Sequence, residues 1–304
     1  IISFLAGMGF TGQGPLDMIK HWGNGFWGLL AFTMQMALVI VTGYVLADTK
    51  PVGKVLDKLA GLPKTPTMAI WFISFITFFA TFINWGFGLV IGPLLAKRVA
   101  KKVRGLDYPL AIAAAYSVFV NWHGGISGSI PLKIATFSEA ILKETGGALT
   151  YAVPISETIF SPWNLIIQLA LLIILPLVNA MMHPTGDKVK TIDPRLLVDP
   201  EPAPQRDRKS MVPAEKLENS SVLSLVIGAM GLVFAIWWFA SKGFNLDLNI
   251  LNFIFLFLGL ILHKTPRRFL DSVNDSVKGV SGVLIQFPFY AGIMGMMTGA
   301  NAAG

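Results

Sequence analysis

Uncharged apolar stretches and short basic segments alternate along most of the chain. Five of the apolar stretches have about the 20 residues that one transmembrane helix needs, with at most one acidic residue each. They are residues 26–47, 163–182, 221–241, 244–262 and 279–300. In lipid every backbone polar group needs an internal partner, so stretches of this kind cross the membrane as helices. The pattern predicts an all-α integral membrane protein.

The apolar stretch at residues 65–96 is too long for one membrane helix and too short for two helices and a turn. Its middle, residues 84–88, reads Asn-Trp-Gly-Phe-Gly, which is a helix-breaking composition. Both flanks carry several lysines or arginines, which mark the cytoplasmic side of a membrane protein. Since both ends belong on one side, we expect a re-entrant hairpin over residues 65–104 with its tip at residues 84–88.

A further uncharged stretch, residues 108–132, is interrupted by Asn, His, Gly, Ser and Pro at residues 121–131. Unwound backbone at membrane depth is tolerated only where protein or a water-filled cavity satisfies its polar groups. The sequence therefore predicts a discontinuous helix over residues 107–142. It would be helical to residue 120, unwound in the middle, and helical again from residue 132.

The placement of charge divides the chain into three parts. The polar, proline-rich segment 183–219 carries the densest charge and predicts a cytoplasmic linker. It would separate a first repeat at residues 1–182 from the start of a second repeat at residues 220–304. The first repeat would contain a scaffold helix at 26–47, the hairpin, the discontinuous helix and the helix at 163–182. The second would contain the last three helices of the set above.

A weak internal repeat supports this division. At a shift of 254 residues, both copies place a short amphipathic stretch before an apolar helix with spaced glycines. The identical pairs are Asp17 and Asp271, Gly25 and Gly279, Gly28 and Gly282, and Leu30 and Leu284. Paired repeats with broken helices facing each other at mid-membrane are the plan of many secondary transporters. The same shift puts a second hairpin beyond residue 304, so we expect a chain that is incomplete at both ends.

Composition agrees with a membrane protein and argues against several other classes. Hydrophobic residues make up 54% of the 304 and charged residues 13%, whereas soluble chains carry about 25% charged residues. The net charge of +7 comes from basic residues beside apolar runs, which favours the positive-inside pattern over nucleic-acid binding. The chain has no cysteine and four separated histidines, so we expect no disulfide, no metal site and no resident cofactor.

The two polar breaks together form the candidate binding site. Half-helix ends at mid-membrane expose backbone groups that attract anions at N-termini and cations at C-termini. Both breaks share an Asn-Trp-x-Gly pattern, in which the amide can donate to a carboxylate, the glycines admit a ligand and the rings would line an acyl tail. The predicted substrate-binding residues are Asn84, Trp85, Gly86, Phe87, Gly88, Asn121, Trp122, Gly124, Gly125, Ser127 and Ser129.

Several residues near the breaks have a second interpretation. Gly88 and Gly124 each begin a GxxxG spacing, which is more often a helix-packing face than a binding site. His123 could relay a proton or be held by a local partner, and Lys133 could offset a substrate carboxylate or extend to the membrane interface. Residues 125–128 (Gly-Ile-Ser-Gly) also fit intramembrane serine proteases, but that chemistry needs a histidine on a neighbouring helix, and the other histidines lie at span edges.

Eight segments of the chain resemble the short-chain fatty acid transporter family of bacterial inner membranes, within the larger ion transporter superfamily. They occur in order along nearly the whole chain, which makes the resemblance specific. The segments are residues 21–27, 30–32, 34–38, 83–90, 125–131, 192–194, 263–266 and 286–292.

The resemblance implies a secondary active transporter that takes up short-chain carboxylates such as acetoacetate or butyrate by symport with Na⁺ or H⁺. It also implies two inverted repeats, each with a hairpin, an elevator motion, and a homodimer in the inner membrane. The partners would be the carboxylate and the lipid bilayer. A carrier of a dicarboxylate stays open, although few intramembrane cations are visible for a second carboxylate. An intramembrane serine hydrolase is the alternative from another class. The resemblance assigns no role to His123 or Lys133.

Overall fold

The computed structural model describes residues 1–136, 138–145, 147–197 and 211–300, and all regular structure within these ranges is helical. Short 3-10 helices lie at Val118–Asn121, Gly186–Lys188 and Pro194–Leu197. The prediction of an all-α protein is confirmed. The α-helices are α1 (Ile2–Thr11), α2 (Pro15–Gly25), α3 (Leu30–Ala47), α4 (Lys50–Leu59), α5 (Pro66–Ile83), α6 (Trp85–Lys102), α7 (Tyr108–Ser117), α8 (Ser129–Ile134), α9 (Glu139–Glu144), α10 (Pro162–Met181), α11 (Pro213–Glu218), α12 (Ser221–Lys242), α13 (Leu248–His263), α14 (Pro266–Val277) and α15 (Ser281–Gly299).

Four described helices are long and apolar enough to cross a membrane, namely α3, α5, α10 and α12. α14 and α15 pass the same test as a pair, but they are bent by 53° at the break between them. α10 and α12 expose many large apolar side chains, among them Ile166, Leu169, Met230 and Val233. A continuous exposed apolar face of this kind suits contact with lipid. The chain is therefore built as a multi-pass membrane protein.

α5 and α6 form an antiparallel helical hairpin. Asn84 is the single residue between them, with extended backbone (φ −152°, ψ 120°). We expected a tip at residues 84–88, but residues 85–88 form the first turn of α6 instead. The helix can restart at once because the Asn84 side chain accepts the Phe87 N–H at 2.8 Å, as an N-cap does. Gly88 faces Thr81 so closely that a side chain at Gly88 would overlap it.

The segment after α6 is discontinuous, as the sequence predicts, but its second half is shorter than expected. α7 continues as a 3-10 turn to Asn121, and residues 122–128 contain no regular helix. α8 begins at Ser129 rather than at residue 132, because Pro131 lies in the first helical turn, where its missing N–H is not needed. α8 ends at Ile134, so the helix predicted to continue to residue 142 is divided into α8 and α9.

The remaining predicted helices differ from the observed helices mainly in where they begin and end. The scaffold helix begins at Leu30 rather than at residue 26, because turns connect it to α2. α13 begins at Leu248 rather than at residue 244, since Asp247 caps it by accepting the Ile250 N–H at 2.8 Å. The predicted linker contains α11 and two of the 3-10 helices, and its residues 198–210 lie outside the described residues.

The helices pack in three neighbouring groups around α3. α4 to α7 share one core, α3 shares a second with α12 and α13, and α1 and α2 share a third with α15. Trp85 belongs to the second core and Leu95 to the first, so α6 joins two of them. α3 itself packs against α6, α13, α14 and α15. The break between α5 and α6 therefore lies beside a helix that several others contact.

The helices α1–α3 and α13–α15 form two sets of three. In each set, the first two helices pack on the last helix of the other set. α1 and α2 pack on α15, while α13 and α14 pack on α3. α1 also packs on α2 as α13 packs on α14, and α3 and α15 contact each other. Gly25 approaches Gly295 of α15, and Gly279, which the sequence repeat pairs with Gly25, lies near Ile40 of α3. A two-fold exchange of α1–α3 with α13–α15 would produce this pattern.

Candidate functional site

The two Asn-Trp breaks meet in the folded chain. The amide of Asn121 donates to the Phe78 carbonyl at 3.2 Å, and the Ile126 N–H donates to the Phe82 carbonyl at 2.6 Å. The unwound segment 122–128 is thereby fixed against the last turn of α5. Lipid offers no hydrogen-bond partners to an unwound backbone, so such a backbone is tolerated at membrane depth only where protein or water pairs with it. The contacts with α5 provide such pairing here.

Two side chains satisfy the N-terminus of α6. Asn84 accepts the Phe87 N–H at 2.8 Å, and the Ser127 hydroxyl oxygen accepts the Trp85 N–H, also at 2.8 Å. Asn84 and Ser127 are both fully buried. Ser127, which the sequence places in the binding site, therefore joins the two breaks by capping one of them.

Several polar atoms at the meeting point are buried without a partner in the described structure. They include Asn84 Nδ2, Trp85 Nε1 and Asn121 Oδ1. Their chemistry is fixed, because Asn84 Oδ1 already accepts from a backbone N–H and Asn121 Nδ2 already donates to a carbonyl. The free atoms are thus two N–H donors and one oxygen acceptor. A buried polar atom without a partner is costly, about 1–3 kcal/mol, which makes these atoms candidates for ligand contact.

The sequence analysis missed three polar side chains near the breaks. Asn164 of α10 donates to the Gly124 carbonyl at 2.9 Å and to the Ile159 carbonyl at 2.7 Å. Gln168, one turn later, is buried with Oε1 unpartnered, and so is Thr77 Oγ1 on α5. The signal was present, since an Asn and a Gln four residues apart in an apolar helix share one face.

Aromatic rings border the polar cluster on one side. The rings of Trp85 and Trp122 lie edge-to-face with centroids 5.7 Å apart, and Phe119 lies 5.4 Å from Trp122. Phe87 is half-buried and packs against both larger cores. An apolar wall beside polar donors is the arrangement that a short acyl chain with one carboxylate requires.

Close packing explains the glycines of the two breaks. A side chain at Gly86 would lie 2.3 Å from the Val39 carbonyl oxygen, and one at Gly125 would lie 2.6 Å from the Phe82 carbonyl oxygen. A side chain at Gly124 would overlap the Gln168 amide. The packing interpretation therefore accounts for these positions, and contact of their backbone with a ligand stays a prediction.

The remaining predicted residues lie at the edge of the site. His123 is exposed, with its ring centroid 4.2 Å from that of Trp122. Ser129 is buried at the start of α8. The Lys133 ammonium is paired with the Glu144 carboxylate and lies 4.7 Å from the Phe32 ring centroid. Because Glu144 already neutralises it, Lys133 is not free to offset a substrate carboxylate in this conformation.

Replacing Ser127 by Ala is expected to lower the free energy of unfolding by about 1–3 kcal/mol, because the Trp85 N–H would be buried without an acceptor. Thermal unfolding of the purified full-length protein measures the effect. The matched control is Ser241→Ala, which removes an exposed hydroxyl from the end of α12. A Ser127→Ala protein as stable as this control would contradict the capping role.

The Lys133–Glu144 pair is expected to stabilise the connection between α8 and α9. Lys133→Gln alone should lower stability by about 1–3 kcal/mol, because it leaves a mostly buried carboxylate without its cation. The double variant Lys133→Gln, Glu144→Gln should recover most of that loss. A double-mutant cycle on thermal unfolding tests this, and additive single effects would show that the two side chains are not coupled.

Comparison with known proteins identifies the family. The sequence model described as "Short chain fatty acid transporter" matches residues 1–304. The chain belongs to this family. A protein of Escherichia coli (strain K12) named "Putative short-chain fatty acid transporter" is 41% identical over 304 residues, which is 100% of this chain and 68% of that protein. A protein of the same name from Haemophilus influenzae (strain ATCC 51907 / DSM 11121 / KW20 / Rd) is 40% identical over 308 residues, with the same coverage.

Membership of the short-chain fatty acid transporter family decides between the functional classes considered. The family and both relatives are described as transporters, so this chain is a transporter and not an enzyme. The intramembrane hydrolase interpretation is therefore wrong, and Ser127 caps a helix instead. No solved structure matches the chain. Within the described ranges, no group of three or more His, Cys, Asp or Glu residues is placed to hold a metal ion.

Proposed function

We propose that this transporter moves short-chain monocarboxylates of the acetoacetate or butyrate type across the bacterial inner membrane, by symport with an ion. The description of its relatives supports the substrate class. The observation that carries the proposal is the N-terminus of α6, where buried N–H donors without partners lie beside an apolar wall.

The donors around α6 suit one carboxylate. Asn84 Nδ2 and Trp85 Nε1 are unpartnered, and no hydrogen bond among the described residues uses the Gly86 N–H. Asn84 is the N-cap of α6 and the other two residues lie in its first turn, where the helix dipole places about half a positive charge. A carboxylate bound there would satisfy atoms that are otherwise buried without a partner, and its acyl chain would lie against Trp85 and Trp122.

A monocarboxylate is favoured over a dicarboxylate. A second carboxylate would need further donors or a cation, and the closest intramembrane candidate in the sequence, Lys133, is paired with Glu144. The aromatic wall beyond the donors offers apolar contact rather than charge. The dicarboxylate alternative therefore finds no support in the described part of the site.

Three buried oxygen atoms without partners support the proposal of a coupling cation near the same break. Asn121 Oδ1, Gln168 Oε1 and Thr77 Oγ1 are buried acceptors or hydroxyls without partners. Neither break contains an Asp or Glu that would carry a proton. Sodium, which is held by neutral oxygens and by half-helix C-terminal ends in many transporters, therefore fits better than a proton.

The exchanged helix contacts support an inverted repeat. α3 is followed by the basic segment that begins at Lys50, and α15 is preceded by the basic segment 264–278. The positive-inside tendency thus gives α3 and α15 opposite directions across the membrane. In the proposed arrangement the hairpin of α5 and α6 enters and leaves on the cytoplasmic side and moves against a scaffold that includes α3. The elevator motion and the homodimer rest on analogy with the superfamily.

The test is uptake of labelled butyrate into proteoliposomes that contain the full-length protein, under an imposed Na⁺ or H⁺ gradient. We expect uptake driven by a Na⁺ gradient, with competition from acetoacetate and little from succinate. Uptake driven by H⁺ alone would contradict the proposed cation. No butyrate uptake under either gradient would contradict the substrate.

A further inference from the structure

An open cavity of about 500 Å³, lined mainly by charged and polar residues, lies where α3 and α13 end and where α4 and α14 begin. Its volume is in the range of small-molecule sites, about 300–1,000 Å³. None of its lining residues belongs to the two breaks described above. The cavity is therefore separate from the proposed carboxylate site.

Four cationic side chains and three carboxylates line this cavity. None of the four cations forms an ion pair with another described residue. They are Lys50, Lys54, Lys264 and Arg268. Lys50 and Lys54 lie one turn apart on α4, and the other two residues flank the start of α14. The three lysines are solvent-exposed and Arg268 is partly buried, and the four come together from two segments distant in sequence. Cations gathered in this way suit an anion with several acceptor oxygens.

The carboxylates of the lining offset little of that charge. Asp271 is bonded to Arg267 at 3.1 Å, and Asp275 is bonded to Lys278 at 2.8 Å. Neither Arg267 nor Lys278 lines the cavity, so both carboxylates are neutralised from outside it. The third carboxylate, Asp48, is exposed. Four cations therefore face one carboxylate that is not already paired.

Two buried polar side chains complete the lining. Ser272 is 2% exposed, and its hydroxyl has no partner among the described residues. His263 is 8% exposed, and its Nε2 donates to the Val45 carbonyl at 2.8 Å, which leaves Nδ1 as its other polar atom. A buried hydroxyl without a partner, beside unpaired cations, indicates a ligand with acceptor oxygens.

The backbone of Lys264 is the one strained position among the described non-glycine residues. Its φ is 68°, in the left-handed region where a helix C-terminus usually has glycine. Such a conformation is strained for a residue with a side chain. A lysine at this position despite the strain supports a role for its ammonium group, which glycine could not fill.

We propose that this cavity binds a phosphate group, and that the headgroup of an anionic phospholipid is its usual source. Phosphate offers the several acceptor oxygens that three lysines, one arginine and the Ser272 hydroxyl require. The cavity lies at the end of the membrane helix α3 and of the shorter apolar helix α13, on the basic side of the protein. Basic pockets between membrane helices on that side are known to hold anionic headgroups. A soluble phosphate ester has the same chemistry, and the experiment separates the two sources.

The experiment measures binding to the purified, delipidated full-length protein in detergent by native mass spectrometry. The probes are phosphatidylglycerol, phosphatidylcholine and inorganic phosphate. We expect retention of phosphatidylglycerol over phosphatidylcholine. Each of Lys54→Gln and Arg268→Gln should weaken that retention about fivefold, the effect of one interfacial cation. Lys58→Gln, on the same helix but outside the lining, is the matched control and should bind as wild type does.

The variant Lys264→Gly distinguishes a loss of lipid binding from a loss of stability. Glycine relieves the left-handed backbone, so this variant should unfold at the same or a higher temperature and still lose retention about fivefold. Inorganic phosphate that displaces phosphatidylglycerol would identify a soluble ester as the source, and its failure to do so would identify the lipid. Equal retention of phosphatidylglycerol by wild type, Lys54→Gln and Lys264→Gly would overturn the proposal.

Discussion

Replacing Asn84 by Ser is expected to reduce butyrate uptake at low substrate concentration about 10- to 100-fold while the protein stays folded. The serine hydroxyl can still accept the Phe87 N–H and cap α6, so the hairpin should keep its shape. What the variant loses is Nδ2, the unpartnered amide donor. A hydrogen bond to a charged group contributes about 1.5–3 kcal/mol. Its loss should weaken butyrate binding about 10- to 100-fold and reduce uptake at low substrate concentration by the same factor.

The variant Asn84→Asp also tests whether Asn84 binds the carboxylate, because it places a negative charge where the donor was. The carboxylate caps a helix N-terminus at least as well as the amide does, and it replaces the donor with a negative oxygen. We expect folded protein with no measurable butyrate uptake. Asn274→Ser makes the same Asn-to-Ser substitution on the exposed face of α14 and is the control for Asn84→Ser. Uptake by Asn84→Ser equal to that of this control would remove Asn84 from the site.

Gly43→Ala is expected to be strongly destabilising for so small a substitution. An added Cβ at this position would lie 2.4 Å from the Phe87 nitrogen and 2.6 Å from the Gly86 carbonyl carbon. Both atoms are backbone, so α3 and α6 would have to move apart, and overpacking of this kind costs about 1–3 kcal/mol or more. Because the displaced residues form the first turn of α6, butyrate uptake should fall together with the unfolding temperature.

The matched control for Gly43→Ala is Gly23→Ala in α2. No atom lies within 4 Å of an added Cβ at Gly23, so this variant should be neutral or more stable by up to about 1 kcal/mol, as alanine favours a helix. Thermal unfolding and uptake by both variants give the comparison. A Gly43→Ala protein that unfolds and transports like Gly23→Ala would show that α3 and α6 are not packed as closely as described.

The sequence was sufficient for the class of fold and for the position of both breaks. Charge-free stretches of membrane length predict helices because lipid leaves the backbone no other partner, and α10 and α12 were placed within two residues at each end. The break at Asn84 and the unwound segment 122–128 were located by composition. The shared Asn-Trp pattern also predicted that the two breaks have a common role, and the structure brings them into contact.

The ends of elements and the exact partners could not be predicted. Whether α6 restarts at Trp85 depends on two acceptors, and one of them, Ser127, lies 42 residues away in sequence. The pairing of Lys133 with Glu144 depends on how α9 folds back after α8. The shared face of Asn164 and Gln168 was visible in the sequence, but their neighbour Gly124 depends on where α10 packs. These are tertiary contacts, which local pattern does not contain.

The central claim is that the first turn of α6 binds a carboxylate. Equilibrium binding of butyrate and of butyramide to the full-length protein, measured by isothermal titration calorimetry, tests it most directly. The two ligands share the same carbon chain, but only butyrate carries the negative charge that a helix N-terminus and its free donors favour. We predict that butyrate binds wild type at least about tenfold more tightly than butyramide does, and that Asn84→Ser loses most of this difference. Equal binding of butyrate and butyramide, or an unchanged preference in Asn84→Ser, would contradict the account.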